Sequence, residues 1–293
     1  MTTSAKESWT TRKLLDWLRG ALNDKGVEDA RLCAEMLVAH VIGCPRLRLY
    51  MEADRPAAPE ELSKLRDLAK RALNYEPVQY LVGEASFYGI SLKADKRALI
   101  PRPETQTLVD EAVRAIKLLE DRPALVADVC TGSGCVAIAI VKQAPGAVVH
   151  ACDIDEEALA LAKENINRTA LEGEIQTFRG DLLEALPAGE AYDVIVANPP
   201  YIPDDEWDEV ASNVRDYEPT HALRGGHDGL DFVRRIVAGA APRLRPGGTL
   251  ALEIAASRAA EALALIEADD RYASGAIVRD FTGRPRCIRC ERA

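Results

Sequence analysis

From residue 124 onward, short apolar runs alternate with stretches of helical periodicity, and this alternation constrains the fold more than any other feature. Runs at 124 to 130, 147 to 152, 174 to 179, 192 to 197, 249 to 254, 275 to 280 and 286 to 290 have the length and continuous apolar character of strands. Helical stretches lie between them near 134 to 143, 156 to 170, 229 to 242 and 257 to 268. Strands separated by helices predict an α/β fold with a mostly parallel sheet covered on both faces. The last two runs are separated by little more than Thr282-Gly283-Arg284-Pro285, too short for a parallel crossover, so the final strand is expected to be antiparallel.

The first part of the chain reads differently. From Thr10 to about Asn74 apolar residues recur at helical spacing, as in Leu14, Leu15, Trp17, Leu18 and Leu22, with breaks at Gly26, 43 to 45 and 56 to 59. This predicts a small all-α bundle over 1 to 75, either a stabilising cap or a recognition module for a macromolecular partner. A β-like stretch flanked by glycines predicts a hairpin connector over 76 to 103, and helix returns at 105 to 119, opening the sheet domain of 104 to 293. Residues 1 to 85 carry 13 Lys/Arg and 13 Asp/Glu, so the whole net charge of -10 lies in the remainder. That balance argues against broad electrostatic binding to nucleic acid.

In a parallel sheet, ligands sit at the carboxyl ends of the strands, and those ends carry the informative letters. The first reads Asp128-Val-Cys130-Thr131-Gly132-Ser133-Gly134 and runs straight into a helix. Its glycines permit a tight turn and close approach of a ligand to amides at a helix N-terminus. The loop alone does not choose between NAD and S-adenosylmethionine, and a ligand-free turn has the same letters. The second end, Asp153, has the place of a carboxylate that accepts ribose hydroxyls, or Asp153 and Asp155 simply cap the next helix. The third, Asp181-Leu182, suits an adenine amino group and ring, or again a helix cap.

The fourth end is the most specific: Asn198-Pro199-Pro200-Tyr201. Each proline fixes its own φ and pushes the preceding residue to extended backbone, so the segment is stiff. Neither proline has an N–H, which leaves mainly carbonyl acceptors, and the Asn198 side chain adds another. Rigid paired acceptors complement an NH2 group, and the Tyr201 ring would lie against a planar amide or base. Holding both N–H bonds aims the nitrogen lone pair at a sulfonium methyl, so the pattern fits methylation of an amide or exocyclic amine without a strong base.

The seven cysteines are scattered and mostly in apolar surroundings, as suits reduced thiols, and Cys287-Ile-Arg-Cys290 reads better as part of a strand than as half a zinc site, so no metal is expected. The sequence has no signal-peptide pattern and no apolar run near the roughly 18 residues that span a bilayer, so a cytoplasmic protein without membrane association is expected.

Taken with Glu76-Pro77-Val78-Gln79-Tyr80-Leu81, Phe87-Tyr88-Gly89, Ile100-Pro-Arg102-Pro-Glu104-Thr105, Tyr217-Glu-Pro219 and the 225 to 230 segment, these motifs resemble the HemK-like protein-(glutamine-N5) methyltransferases, the release factor glutamine methyltransferases above all. The likeness covers nearly the whole chain. It implies a seven-stranded Rossmann-like class I methyltransferase domain behind a helical domain that docks the protein substrate. The implied cofactor is S-adenosyl-L-methionine, and the implied partner is a class 1 peptide chain release factor, methylated at the glutamine of its Gly-Gly-Gln motif, with no direct nucleic acid. Asp128, Cys130 to Gly134, Asp153, Asp181, Leu182 and Asn198 are the cofactor candidates; Asn198, Pro199, Pro200 and Tyr201 would hold the glutamine, with Asn198, Pro199 and Tyr201 catalytic and Arg102, Glu104 and Thr105 in a supporting loop. Related enzymes act on a glutamine of a large-subunit ribosomal protein, or on adenine N6 in nucleic acid. The sequence departs from the release-factor pattern at Cys130, where glycine is usual, at Gln106, where an acid is usual, and at Ala255, where glycine is common.

Overall fold

A computed structural model describes residues 8–119 and 122–293; the first seven residues of the segment expected to be helical lie outside it. The described chain divides into two compact units, one running up to Gly83 and taking in Ser212–Tyr217, the other made of Glu84–Ala211 with Glu218–Ala293.

The first unit is helical: α1 (Thr11–Asp24), α2 (Ala30–Ile42), α3 (Arg46–Met51), α4 (Pro59–Ala72) and α5 (Val78–Val82). The expected breaks appear as helix ends; Gly43, for instance, takes φ 73° at the end of α2, a backbone state glycine reaches without strain. Leu14, Leu18 and Leu22 of α1, one turn apart, join Leu37, Val38 and Leu65 in one buried core, each worth about 1.5–3 kcal/mol of transfer free energy. The expected connector over 76 to 103 divides between the units. Val78 and Leu81 of α5 belong to the helical core, so the first unit runs to Gly83 rather than to 75. The hairpin is shorter, β1 (Glu84–Phe87) against β2 (Ile90–Lys93), and Phe87 and Leu92 pack in the core of the sheet domain.

That domain holds α6 (Gln106–Ile116), β3 (Leu125–Val129), α7 (Cys135–Gln143), β4 (Val148–Asp153), α8 (Glu156–Thr169), β5 (Ile175–Arg179) and β6 (Tyr192–Ala197). A short helix, α9 (Ser212–Arg215), then belongs to the helical unit, and the sheet domain resumes with α10 (Asp231–Ala240), β7 (Leu244–Glu253), α11 (Ala259–Glu267), β8 (Tyr272–Arg279) and β9 (Pro285–Arg292). The seven strands lie in the order β5-β4-β3-β6-β7-β9-β8, parallel except for β9, which is antiparallel to β7 and β8. Alternate residues of a strand feed opposite cores: Val194 and Val196 of β6 join one cluster, Ile195 and Ala197 the other. The same alternation sends Cys287 and Cys290 into different clusters, so these two thiols do not converge on one point.

Chain order reverses between β3 and β6, which opens a crevice at their carboxyl ends. Register then sets what meets there. Val129 pairs with Cys152 and with Ala197, and Ala197 pairs with Leu252. One residue further along each strand, Cys130, Asp153, Asn198 and Glu253 therefore share one level of the sheet edge. No described helix is long and apolar enough to cross a membrane.

Candidate active site

The carboxyl edge encloses a cavity of about 260 Å3, lined from every strand end that the sequence singled out. At its floor the loop after β3 turns tightly: Cys130, Gly132 and Gly134 take φ values of 60°, 53° and 79°. Cys130 is the exception among them, since a side chain in this left-handed region costs about 1–2 kcal/mol, which explains why glycine suits the position. Asp128 holds the turn from behind. Its buried carboxyl accepts from Thr131 Oγ1 at 2.6 Å and from Ala137 N at 3.2 Å, and burial pushes its pKa up to about 7. It stands behind the loop, whereas Cys130, Thr131, Gly132 and Ser133 line the cavity and Gly134 precedes the first residue of α7.

Asp153 ends β4 inside the cavity, its carboxyl aimed by two backbone donors, Gly132 N at 2.9 Å to Oδ2 and Asp155 N at 3.0 Å to Oδ1. Burial raises its pKa. Helix capping falls to Asp155, which accepts from Glu157 N at 2.8 Å and also faces His221 Nε2 at 2.9 Å, so Asp153 is spared for the cavity. Leu182 lines the cavity in a left-handed conformation, φ 49°. Asp181 lies beside it on the rim with its carboxylate engaged by Arg235 Nη2 at 2.6 Å.

Asn198 and Pro200 line the opposite wall, with Pro199 buried behind them. Tyr201 is placed differently from the expected ring wall. Its hydroxyl donates to Glu253 Oε1 at 3.4 Å, away from the lining, and burial raises its pKa. Asn198 Nδ2 donates to Thr105 Oγ1 at 3.5 Å. Two glycines brace the segment from outside. A Cβ at Gly225 would stand 2.7 Å from Tyr201 Cα, and one at Gly229 would stand 2.5 Å from the Tyr201 carbonyl oxygen, so only glycine admits this approach.

The supporting loop is tied down by the middle residue of the Tyr217-Glu-Pro219 motif, to which the sequence gave no role of its own. Glu218, buried, accepts from Ile100 N at 3.0 Å and pairs with Arg102 Nη2. Arg102 and Thr105 thereby line the cavity, with Arg97, Ala98 and Leu99 beside them, while Glu104 faces away from the lining. Arg97 is itself fixed by Asp95 at 2.7 Å and Glu164 at 2.8 Å. Glu253 is a residue that the sequence reading missed altogether. It closes β7 at 1% exposure, and a lone charge ending the apolar run Thr-Leu-Ala-Leu was the signal that could have found it.

The donor set suits a nucleoside that carries a cationic sulfonium. One wall is apolar, with Val136, Ala158, Leu182 and Phe232, and the ionisable groups turned inward include Asp153, an acceptor for hydroxyls. Across from it a stiff proline-braced segment presents Asn198. A cationic donor and a neutral amide or amine can meet between these walls.

The family model described as the PrmC N-terminal domain matches residues 13–83, and the one described as the methyltransferase small domain matches residues 105–216. A release factor glutamine methyltransferase of Rhodopirellula baltica is 38% identical over 99% of both chains. The one of Geobacter sulfurreducens is 42% identical over 90% of both, and the one of Chlorobaculum tepidum 36% identical over 96% of this chain and 97% of its own. Among solved structures, the catalytic domain of human METTL16 in complex with an RNA hairpin superposes with a TM-score of 0.56 at 16% identity, covering 70% of this chain and 76% of that one, which speaks for the fold alone.

Proposed function

This chain belongs to the release factor glutamine methyltransferase family, and from that premise we infer how its residues carry the reaction. It is an S-adenosylmethionine-dependent methyltransferase whose acceptor is the side-chain amide nitrogen of a release factor glutamine. The observation that supports the site assignment best is the sharing of one cavity by the Cys130 to Ser133 loop, Asp153 and Asn198.

In this reading Asp153 accepts the ribose hydroxyls, the 130 to 134 loop cradles the amino acid portion, and Leu182 packs on the adenine. The bound cofactor supplies an electrophilic methyl on sulfur. Asn198 Oδ1 and the carbonyl beside Pro199 accept the two N–H bonds of the glutamine amide, turning its nitrogen lone pair out of conjugation and toward that methyl. Tyr201 and Pro200 keep these acceptors from moving. Once it takes the methyl that a bound S-adenosylmethionine would supply, leaving a neutral thioether, the amide nitrogen gives up one proton to solvent. The partner in this reading is a class 1 release factor and the target the glutamine of its Gly-Gly-Gln loop.

Methyl-labelled S-adenosylmethionine offered with a release factor, a large-subunit ribosomal protein and nucleic acid in parallel reactions tests the reading. Label is expected on the release factor alone and is lost when its loop glutamine becomes alanine. Label that survives that change, or that appears only on the ribosomal protein or nucleic acid, sinks it.

A further inference from the structure

Asn165, fully buried on α8, commits its whole side-chain amide to two backbone segments. Its Oδ1 accepts from Lys93 N at 2.7 Å, and its Nδ2 donates to Lys93 O at 3.2 Å and to Ser133 O at 3.0 Å. The oxygen and both amide hydrogens are thereby engaged. Lys93 ends β2 and leads into Arg97, Ala98 and Leu99, which line the cavity as Ser133 does. Lys93 lies 72 residues back along the chain and Ser133 lies 32 back, so only the fold brings them to one side chain.

The rest of that helix face serves the same two segments. Ala158 and Leu161 form a small buried cluster with Ala98. Glu164 accepts from Arg97 Nη1 at 2.8 Å and from Lys93 Nζ at 2.5 Å. Ala162, one turn before Asn165, stands so close to the loop after β3 that a Cβ on Gly134 would lie 3.3 Å from its own. The two segments abut as well, since a Cβ on Gly132 would stand 4.0 Å from Ala98 Cβ. Residues 97–99 and 132–133 are therefore one continuous stretch of cavity wall, hung on α8. Asp153 at the end of β4 and Leu182 after β5 are not party to these bonds.

We propose that Asn165 is a positioning residue that holds this wall in the shape that receives the amino acid portion of S-adenosylmethionine, and so sets the affinity for that portion apart from the affinity for the nucleoside. The inference rests on the reading above in which the 130 to 134 loop cradles the amino acid portion. The peptide between Ser133 and Gly134 is held at both ends, its carbonyl by Asn165 and its N–H by Thr131 O at 2.9 Å. Without Asn165, Ser133 O becomes a buried acceptor with no donor, a state costly enough that the backbone turns to find another partner. Gly134, at φ 79° and free of a Cβ, lets it turn. Lys93 loses a donor and an acceptor at the same moment, so both segments of the wall are released together.

The test is calorimetry on the full chain with two ligands, S-adenosylhomocysteine, which carries the amino acid portion, and methylthioadenosine, which keeps the nucleoside and lacks that portion. The proteins are the native chain, Asn165→Ala and Asn165→Asp; the ionised aspartate keeps the acceptor for Lys93 N and offers no donor to Ser133 O. Both variants should bind S-adenosylhomocysteine roughly tenfold to a hundredfold more weakly and methylthioadenosine within about threefold of native. Equal losses for the two ligands would mean that Asn165 merely supports the fold, and they overturn the inference, as does an unchanged affinity for S-adenosylhomocysteine. If neither variant folds, the native chain decides. Its Asn165 side-chain amide resonance should shift when S-adenosylhomocysteine binds and stay in place with methylthioadenosine, and the same response to both, or none to the first, overturns the inference. A native chain that binds the two ligands equally well overturns the reading of the loop and the inference with it, whereas a native preference for S-adenosylhomocysteine that both variants retain in full overturns the role of Asn165 alone.

Discussion

Asn198 and Cys130 carry the sharpest expectations at the scale of single residues. Asn198→Ala removes the side-chain acceptor from a wall that is otherwise proline and backbone. Methyl transfer should fall by roughly 100-fold or more, while cofactor binding measured by calorimetry weakens but stays measurable. Cys130 holds a left-handed backbone state without the freedom of glycine. Cys130→Gly exchanges about 1–2 kcal/mol of local strain for about 0.5–1 kcal/mol of extra chain entropy in the unfolded state, so urea melts should show equal or slightly greater stability. Cys130→Val, β-branched in the same conformation, should lose about 1–3 kcal/mol and drag the loop out of place. The letters at these two positions were readable in advance because each follows a strand end. The partners were not: Asn198 meets Thr105 across 93 residues and Ile100 meets Glu218 across 118, separations over which local pattern carries no information.

The elements themselves were legible wherever burial imposed a period. Strand β6 shows its run because both of its faces are covered, and α1 because one face is. Five-residue α5 is too short to show a period, which is why its allegiance to the helical core was missed. Strand β7 begins at Leu244, earlier than expected, because Pro246-Gly247-Gly248 reads as a turn and is in fact an irregularity in register opposite β6. The brace behind Tyr201 is an element-scale device as well. Gly229→Ala should push the segment off its glycine support and lower the turnover number about tenfold or more, with less effect on the cofactor's affinity than on that of the protein substrate; steady-state kinetics with each substrate varied will tell. At the opposite end of β6, Asp193 is buried between Arg122 and Arg245, the latter at 2.7 Å. Burial works against its charge, yet Arg122, the Leu125 N–H and Arg245 together hold its pKa below the ordinary value of 3.8. A lowered carboxylate pKa stabilises the fold above the ordinary value and ceases to as pH falls through the folded one. Asp193→Ala should therefore cost about 2–3 kcal/mol at pH 7 and progressively less in acid, as thermal melts across pH will read.

For the molecule as a whole, the cavity is lined entirely by residues between Arg97 and Phe232 that belong to the sheet domain. Calorimetry on a fragment beginning at Glu84 should therefore find cofactor affinity close to that of the full chain, while release factor methylation drops steeply if the helical unit is the docking module; a fragment that loses both denies the sheet domain its independence. That unit is not, however, a bead that one cut removes. Residues 212–217 leave the sheet domain to complete it, and the Tyr217 hydroxyl donates to Asn74 O at 2.8 Å, 143 residues back along the chain. During synthesis the order of events follows from this. The helices up to Gly83 bury their leucines as soon as they clear the ribosome, but their last segment arrives only when most of the sheet has been made, so the first-born part of the protein is among the last to be finished.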